Sequence, residues 1–428
     1  MTKWVVWGVL SAALFISFFH RVAPAVVADQ LMVEFATTAT GVGALASIYF
    51  YAYMAMQIPT GALADTLGPR LTVFWGSVIA AVGALLFGLA PSLPLAYVGR
   101  LLVGMGVAVA FICVLKAQSI WFKPNQFALL SGLLSIVSTG GAIVAAAPLA
   151  AAADAFGWRP AFVVSAGLSL FVAALTWWLV RDHPVQPIAR GSAASTVGLG
   201  TRAAARIVWR NRQTWLCFGA HFGWFGTYLT FTGLWGVPYL IHVYELERVT
   251  AAALISAASV GYSIGAVLLG TASDRWLGQR KPPMLAAGVV FLGCWLLLVA
   301  WPGGRPPLAL TVIAFVVACA AAAANLLCFA LAKESNPPEA AGLAMASANG
   351  GILCAAFLQP LLGYVLDLGW QGQIVAGARV YPVAAYQVAF SAFLLAGGLA
   401  ITAALLTRES YCRNLTLADR RRTTKGGR

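Results

Sequence analysis

Twelve runs of about twenty apolar residues follow one another along this 428-residue chain. A helix needs roughly twenty such residues to cross the hydrocarbon core of a bilayer. Within that core every backbone N–H and C=O group must be satisfied internally, which a helix achieves by itself. The runs therefore predict membrane-spanning helices (spans 1 to 12) at residues 5–28, 41–63, 71–90, 93–119, 127–150, 160–180, 214–241, 251–272, 283–301, 308–332, 342–366 and 384–406.

The overall composition excludes a water-soluble fold. Hydrophobic residues make up 61% of the chain and charged residues only 9%, whereas about a quarter of the residues of a soluble domain are charged. This small number of charged groups cannot cover a water-facing surface. The excess apolar surface must therefore face a lipid bilayer. The predicted class is an all-α integral membrane protein. Span 1 is too long for the apolar region of a signal peptide and should remain in the protein.

The distribution of basic residues predicts the orientation of the spans. With the N-terminus in the cytoplasm, twenty lysines and arginines lie on the cytoplasmic side, and only Arg159, Arg248, Arg305 and Arg379 lie on the opposite side. Such an excess marks the cytoplasmic face of membrane proteins. We therefore expect both termini in the cytoplasm, in the inner (plasma) membrane of a bacterial-type cell. The spread over every inner loop accounts for the net charge of +14 and argues against a nucleic-acid partner.

The seven cysteines do not indicate a disulfide framework or a metal site, because none forms a CxxC motif or another short pair. Six of them lie in apolar spans, where a free cysteine behaves as a small apolar residue. Neither a metal nor a cofactor is expected. The cysteines are Cys113, Cys217, Cys294, Cys319, Cys328, Cys354 and Cys412.

An internal repeat divides the chain into two halves. Gly61 and Asp65 after span 2 recur as Gly270 and Asp274 after span 8, both 209 residues later, and a Pro-Leu pair at the end of span 5 recurs 212 residues later at the end of span 11. Near-constant offsets of about half the chain indicate two homologous six-helix bundles. The predicted organisation is an N-terminal six-helix bundle at 1–182, a cytoplasmic linker at 183–212, a C-terminal six-helix bundle at 213–407 and a basic cytoplasmic tail at 408–428.

The loop after span 2, from Gly61 to Arg70, resembles the signature of the major facilitator superfamily between its second and third helices. Residues 270–281 resemble the echo of that signature in the second half, and Arg100 followed by two glycines resembles the fourth-helix signature. The resemblance covers the whole chain. It implies the major facilitator fold, with twelve transmembrane helices in two six-helix bundles, and transport by alternating access.

The same resemblance implies a gating role for Asp65 and Arg70, and for Asp274 and Arg275 in the second half. Asp65 ends a helix at the cytoplasmic surface, where a carboxylate can meet Arg70 or the N-terminus of a neighbouring helix. Such a contact would hold the two bundles together in one state and break in the other. The alternative for Asp65 is an ordinary solvated aspartate in a loop.

Within the superfamily, the first two spans resemble the anion:cation symporters, which include vesicular glutamate and bacterial sugar-acid carriers. The similarity lies in Phe-His-Arg at 19–21 and in Tyr-Met-Ala-Met-Gln-Ile-Pro at 53–59. It implies substrate binding by Arg21, Tyr53 and Arg100. Two acidic residues that this branch usually has are absent here, since His20 precedes Arg21 and Val107 stands on span 4.

Three charged residues lie within the predicted spans, and all are cations: Arg21, Arg100 and Lys116. Each costs about 2.5–3.5 kcal/mol to insert, and no span contains an aspartate or a glutamate. A helical protein keeps such residues when they face a watery cavity and attract an anion. A guanidinium group binds a carboxylate or phosphate through two parallel hydrogen bonds. The alternative for either arginine is a structural hydrogen-bonding role.

Lys116 is a weaker candidate for a substrate ligand than the two arginines. It follows Arg100 by sixteen residues, which rotates it by about 160° around a helix with roughly 100° per residue. It also lies near the cytoplasmic end of span 4, where a lysine can extend its amine to water.

Neutral side chains at helical spacing are further candidates for the substrate site. Amides deep in a span are expected to face other helices rather than lipid. For the aromatic residues, packing between helices is the alternative. The candidates are Tyr49, Tyr53 and Gln57 on span 2, Tyr228 and Trp235 on span 7, and Asn325 and Asn349 on spans 10 and 11.

Proton coupling requires a titratable group, and His20 and His221 are the candidates within the spans. The charge of Arg21 should make the titration of its neighbour His20 depend on the bound anion. The alternative for both histidines is a hydrogen-bonded packing role. Asp29 and Glu34 at the outer edge, or the substrate itself, could also carry the proton.

Taken together, these features predict a monomeric secondary transporter that carries a small carboxylate-type organic anion into the cell, with protons as the coupling ion. An organic-anion or organophosphate exchanger is one alternative, a carrier of a larger metal chelate or drug is another, and a non-transporting membrane sensor is a third. An enzyme is not expected, because the chain carries no nucleophile–base–acid set, metal-ligand cluster or phosphate loop.

The predicted orientation can be tested in the linker. A cysteine introduced between Arg190 and Thr201 should react with a membrane-impermeant thiol reagent only after cell lysis, because the basic linker is retained in the cytoplasm. Labelling of intact cells would show that the orientation is wrong. The chain with only its native cysteines gives the background signal.

Overall fold

The computed structural model describes residues 2–122, 127–182, 201–375 and 377–416. The described part is helical apart from one short hairpin. Its helices are α1 (Thr2–Val26), α2 (Ala28–Glu34), α3 (Ala39–Ala55), α4 (Gln57–Thr66), α5 (Gly68–Gly88), α6 (Leu93–Val107), α7 (Val109–Trp121), α8 (Phe127–Val144), α9 (Ala147–Phe156), α10 (Trp158–Leu179), α11 (Thr201–Arg210), α12 (Arg212–Thr230), α13 (Gly236–Tyr244), α14 (Arg248–Thr271), α15 (Lys281–Ala300), α16 (Leu308–Ala322), α17 (Asn325–Glu334), α18 (Ala341–Asn349), α19 (Leu353–Leu368) and α20 (Val383–Leu406).

Every predicted span overlaps one or more of these helices. Ten helical segments of the described residues are each long and apolar enough to cross a membrane. The other two predicted spans are interrupted, span 2 at Met56 between α3 and α4, and span 7 by a π-helical turn at Phe231–Trp235 between α12 and α13. The chain bends by 114° between α2 and α3. The prediction of an all-α membrane fold is confirmed.

Two elements were not predicted from the sequence. The first is α11, a helix inside the predicted linker, of which residues 183–200 lie outside the described residues. The second is an antiparallel hairpin between spans 11 and 12, in which β1 (Ile374–Val375) pairs with β2 (Ala378–Arg379). The predicted tail is described as far as residue 416.

Breaks within several spans lie next to proline or glycine. Pro148 is the second residue of α9, where its missing N–H group removes no helical hydrogen bond. Gly350 and Gly351 form a 3₁₀ turn between α18 and α19. Glycine and proline are tolerated inside membrane helices because neighbouring groups can satisfy the freed backbone.

Small residues allow α5, α6 and α3 to approach one another closely. A β-carbon at Gly83 on α5 would lie 2.6 Å from the backbone nitrogen of Val103 on α6. A β-carbon at Gly104 would lie 2.5 Å from the carbonyl oxygen of Tyr49 on α3. Membrane helices associate through such close packing, since lipid is as apolar as their side chains. The fourth-helix glycine thus positions Tyr49 beside α6.

The chain forms two compact units. Unit 1 consists of residues 1–189, 231–256 and 359–386, and unit 2 of residues 190–230, 257–358 and 387–428. Unit 1 therefore contains the first half of the sequence and one end of four helical spans of the second half. The boundary within span 7 falls at Phe231, where the π-helical turn begins.

Because successive spans run in opposite directions, their connections fall into two sets. We call the connections that follow the even-numbered spans the terminal side, at residues 67, 122, 180–182, 278–280, 335–340 and 407–416. We call the other set the far side, at residues 35–38, 89–92, 157, 245–247, 301–307 and 369–382.

Candidate functional site

Arg100 on α6 is buried in unit 1, with 1% of its surface exposed. Its Nη1 atom donates a hydrogen bond to the carbonyl oxygen of His20 at 3.0 Å. Its guanidinium carbon lies 5.0 Å from the ring centre of Tyr49 and 5.9 Å from that of Phe87. A cation over an aromatic face is stabilised, and more strongly when water is excluded. Helices α1, α3 and α5 thus hold Arg100 in place.

Arg21 on α1 lies in the same cluster and is 5% exposed. Its guanidinium carbon is 4.5 Å from the ring centre of Phe18 and 5.3 Å from that of Tyr53. Within the described part of the chain, neither Arg21 nor Arg100 forms an ion pair with a carboxylate. The Nε atom of each is buried and has no hydrogen-bond partner among those residues. The cluster therefore has unsatisfied donors and positive charge.

The tyrosines of span 2 complete the cluster. The rings of Tyr49 and Tyr53 are stacked, with centres 6.1 Å apart, and the Tyr49 hydroxyl donates to the carbonyl oxygen of Ser17 at 3.2 Å. Gln57, one turn further along, donates to the carbonyl oxygen of Tyr53 at 3.4 Å. We call Arg21, Arg100, Tyr49 and Tyr53 the arginine cluster. All four were predicted from the sequence to be substrate ligands.

His20 lies beside the arginine cluster, and its ring is fully buried. The ring centre is 5.6 Å from Phe19 and 6.4 Å from Phe162 on α10. Neither ring nitrogen has a hydrogen-bond partner among the described residues. The imidazole is therefore packed among aromatic rings, while the backbone carbonyl of His20 holds Arg100.

Trp235 lies in unit 1 with Gln359, a residue that the sequence analysis missed. Both are buried, and the indole nitrogen of Trp235 donates to the backbone carbonyl oxygen of Gln359 at 3.0 Å. A β-carbon at Gly233 would lie 3.6 Å from Gln359 Nε2 and 3.7 Å from the carbonyl oxygen of Arg21. The amide of Gln359 has no partner among the described residues. Gln359 could have been found in the sequence as a single amide side chain within an apolar run.

In unit 2, His221 and Asn325 form a second polar cluster. The Asn325 amide nitrogen lies 3.3 Å from His221 Nδ1, and the Tyr262 hydroxyl donates to Asn325 Oδ1 at 2.8 Å. Tyr228 stacks on Tyr262 with ring centres 4.3 Å apart. Tyr262 on α14 joins predicted residues of two other helices, α12 and α17, and was itself missed, because it belongs to no aromatic stripe. Asn349, also predicted, is half-buried at the end of α18.

Lys116 contacts the terminal-side end of α4. Its amine donates to the carbonyl oxygen of Ala64 at 2.7 Å. A cation there satisfies a free helical carbonyl and interacts favourably with the helix dipole. The neighbouring Asp65 lies in α4, but its side chain is outside the described side chains.

Arg70 is bound at the start of α5 by groups that the sequence analysis did not identify. Its backbone nitrogen donates to Asp182 Oδ1 at 2.8 Å, and its Nη2 atom donates to the carbonyl oxygen of Trp177 at 2.5 Å. The guanidinium also lies over the Trp177 ring, 5.0 Å from its centre. Asp182 therefore caps the N-terminus of α5 with a negative charge.

In the second half, Asp274 pairs with Arg280 and not with its neighbour Arg275, which is exposed. Arg280 also binds Glu334 at 2.7 Å. Burial alone would lower the pKa of Arg280, but the hydrogen bonds that Arg280 donates to Glu334 and Asp274 outweigh it and raise the pKa above its ordinary value. This network ties the π-helical segment that follows α14 (Ala272–Leu277) to the start of α15 and the end of α17 within unit 2.

Glu409 caps α15 as Asp182 caps α5. Its carboxylate accepts hydrogen bonds from the backbone nitrogens of Arg280 at 2.8 Å and Lys281 at 2.7 Å. It also accepts from those of Ser410 and Tyr411, at 2.9 and 3.0 Å. Burial would raise the pKa of Glu409, but these backbone donors outweigh it and hold the pKa below its ordinary value.

On the far side of unit 1, carboxylates at the ends of α9 and α19 bind the beginnings of α14 and α3. Asp154 accepts a hydrogen bond from Arg248 at 2.6 Å. Asp367 accepts from the backbone nitrogens of Ala39 and Thr40, at 3.3 and 2.9 Å, and from the Tyr381 hydroxyl at 2.8 Å. Spans of the first and second halves of the sequence are thus joined at this side.

Residues 9–255 and 229–411 match the model of a protein family described as the Major Facilitator Superfamily. The chain belongs to the major facilitator superfamily. This major facilitator protein is 32% identical over 311 residues to the probable sulfoacetate transporter SauU of Cupriavidus necator, covering 68% of this chain and 70% of the relative. It is 25% identical over 408 residues to the hexuronate transporter of Bacillus subtilis, covering 91% of this chain and 90% of the relative.

Coverage differs among the relatives of this major facilitator protein. It spans 60% of the length of the uncharacterized transporter YybO of Bacillus subtilis, to which it is 26% identical over 263 residues, or 58% of this chain. Among solved structures, it resembles a bacterial homolog of the human lysosomal transporter Spinster, with a TM-score of 0.71 and 19% identity, over 94% of this chain and 97% of that one. At that identity the likeness establishes the fold.

The cap formed by Glu409 predicts a pH-dependent contribution to stability. Because the folded state lowers the pKa of Glu409, its stabilising effect is complete above the ordinary pKa and is lost as the pH falls through the lower, folded-state value. Glu409→Gln should lower the free energy of unfolding by about 1 kcal/mol at neutral pH. Apparent melting temperatures in detergent at neutral and acidic pH would measure this.

The matched control is Glu245→Gln, since Glu245 is exposed and does not lie at the N-terminus of a helix. It should leave the melting temperature unchanged at both pH values. A Glu409→Gln variant that melts with the parent at neutral pH would show that the cap adds no stability.

Proposed function

We propose that this protein is a secondary active transporter for a small, carboxylate-type organic anion, and that it works by alternating access. The observation that carries the proposal is the arginine cluster, in which two buried guanidinium groups have no carboxylate partner among the described residues. We further propose proton-coupled uptake across the inner membrane, with the terminal side in the cytoplasm and the protein acting as a monomer.

Electrostatics favours an anion at this cluster. Removing a cation from water is unfavourable, and the cost falls when a counter-charge binds at close range. The aromatic rings around Arg21 and Arg100 supply only part of that compensation. A carboxylate that accepts two parallel hydrogen bonds from a guanidinium supplies the rest. The names of the two relatives, a probable sulfoacetate transporter and a hexuronate transporter, support an organic anion.

The remaining predicted ligands are neutral and are proposed to bind the rest of the substrate. Their amide, hydroxyl and indole groups suit a hydroxylated or apolar portion of an organic acid. These ligands are Gln57, Tyr228, Trp235, Asn325 and Asn349.

Uptake by proteoliposomes would test the proposal. A panel of labelled carboxylates, sulfonates and phosphate esters is offered with and without an inward proton gradient. Accumulation of a carboxylate that requires the gradient is the expected result. Uptake of phosphate esters only in exchange for internal phosphate would instead indicate an organophosphate exchanger, and uptake of none of these anions would contradict the proposal.

Substitution of the three cations in the spans should separate ligands from structural contacts. Arg21→Gln and Arg100→Gln remove a charge and the two-pronged donor, so each should weaken binding of the transported anion by roughly ten- to a hundredfold, or about 1.5–3 kcal/mol. Lys116→Gln is the matched control, because its amine binds the Ala64 carbonyl, and it should weaken binding much less. Equilibrium binding to purified protein is the measurement.

Expression of each variant in the membrane is compared in parallel, so that misfolding is not taken for lost binding. Binding that survives both arginine substitutions would refute the anion site. A loss confined to Lys116→Gln would place the anion at the end of α4.

For Asp65 we propose a role in gating at the terminal side, together with Arg70, Asp274 and Arg275. Asp65→Asn removes a negative charge but leaves the arginine cluster intact. Transport should therefore fall while anion binding remains. Counterflow into proteoliposomes and equilibrium binding are measured on the same preparation; a simultaneous loss of both would assign Asp65 to folding.

A further inference from the structure

A partly buried ion pair joins two helices of unit 1 on the far side. His242 Nε2 on α13 lies 3.4 Å from Asp29 Oδ1 on α2. The side chain of His242 is 3% exposed and that of Asp29 is 15% exposed. On its other edge, His242 Nδ1 lies 2.8 Å from the hydroxyl oxygen of Tyr386 on α20. One imidazole thus links the end of span 1 and the start of span 12 with the end of span 7.

The surroundings of Asp29 require a cation. Its Oδ1 atom is buried and makes no hydrogen bond to any described residue. A buried carboxylate oxygen without a donor is strongly unfavourable unless an opposite charge lies close by. The protonated imidazole of His242 would supply that charge, since its Nε2 atom lies 3.4 Å from Asp29 Oδ1. The distances therefore bring a titratable imidazole within ion-pair reach of a carboxylate oxygen that has no hydrogen-bond partner among the described residues.

The other titratable groups around His242 carry no formal charge when protonated. They are tyrosines: Tyr386 on α20, Tyr381 before α20, with its ring centre 5.9 Å from that of His242, and Tyr239 on α13, with its ring centre 5.2 Å from that of Tyr386. Two charged residues of unit 1 are engaged elsewhere, since Asp367 binds Tyr381 and the start of α3, and Arg248 binds Asp154. Asp29 is the one carboxylate within ion-pair distance of His242 among the described residues.

We infer that the Asp29–His242 pair is a proton-binding site that closes the far side of unit 1. A proton taken from water on the far side, which reaches the partly exposed Asp29, converts neutral His242 to the imidazolium, and the pair then holds α2 to α13. Loss of that proton leaves Asp29 without a counter-charge and favours separation of the two helices, with water around the carboxylate. Histidine is the side chain whose charge changes most readily near neutral pH.

This inference deepens the proposed function, because it assigns the coupling proton to a specific pair. It differs from the assignment to His20 or His221 made from the sequence. In the described part of the chain, neither of those histidines has a carboxylate within ion-pair distance. His20 is packed against aromatic rings, and His221 contacts the amide of Asn325.

The test measures opening of the far side directly and needs no substrate. Met32 on α2 is 4% exposed and lies against the Tyr381 hydroxyl. In Met32→Cys protein, an impermeant maleimide added from the far side should label position 32 faster as the pH rises from about 5.5 to 8, because the pair loses its proton. Each rate is divided by that of Ile374→Cys, an exposed far-side position, to remove the pH dependence of the thiol reaction.

His242→Gln and Asp29→Asn, each added to Met32→Cys, should abolish this pH dependence. Two variants are used so that a folding defect in one leaves the other informative. The matched control is Glu34→Gln, which removes a far-side carboxylate from an exposed pair with Arg159, and it should keep the parent's pH profile. A profile that is unchanged in both His242→Gln and Asp29→Asn overturns the inference.

Uptake assays on the same variants separate this inference from the proposed function. In the parent, a proton gradient should drive accumulation of the anion, and in His242→Gln that accumulation should be lost while exchange at equal pH persists. A parent that carries the anion without response to the gradient would contradict proton coupling, whatever the labelling shows. Gradient-driven accumulation that survives in His242→Gln would overturn the assignment of the coupling proton to this pair.

Discussion

A guanidinium group inside a bilayer must be hydrated, paired with an anion or packed against aromatic rings. Arg21 and Arg100 are packed against rings and tied to one backbone carbonyl, and no described carboxylate neutralises them. Aromatic faces attract a cation more weakly than a carboxylate does. Positive charge therefore remains without a carboxylate partner, among the described residues, at the place where α1, α3 and α6 meet. The glycines of α6, which let Tyr49 approach, serve the same arrangement.

Carboxylates hold the helix ends on both sides, and they repeat between the two halves of the sequence. On the terminal side, Asp182 caps α5 and Glu409 caps α15. On the far side, Asp154 binds the start of α14 and Asp367 binds the start of α3. A negative charge at a helix N-terminus satisfies free N–H groups and interacts favourably with the helix dipole. The acidic residues absent from the predicted spans are thus found at the ends of helices, where a change of state can break a contact without exposing a charge to lipid.

Much of the fold followed from local properties of the sequence, and part of the site did not. Apolar runs and the repeat predicted the spans, because these depend on length and composition within one segment. The arginine cluster was predicted because a charge in an apolar run stands out by itself. Asp182, Glu409 and His242 were missed, since their roles depend on partners brought close only by folding: Asp182 lies 112 residues from its partner and Glu409 lies 129. Trp235 shows the reverse case, since its place in an aromatic stripe is visible in the sequence, whereas the backbone carbonyl of Gln359 that it contacts cannot be identified from spacing.

The π-helical turn of span 7 contains one residue more than an α-helical turn would. An α-helix closes its hydrogen bonds over four residues and a π-helix over five, so the turn at Phe231–Trp235 shifts everything beyond it by about one position, or roughly 100° around the axis. The turn lies at the boundary where span 7 passes from unit 2 to unit 1. Tightening it to an α-helical turn would rotate α13, and with it the His242 ring, about the helix axis. The hydrogen bonds within α12 and α13 would stay intact. The π-helical turn is thus a point at which α13 can rotate about its axis without breaking either helix.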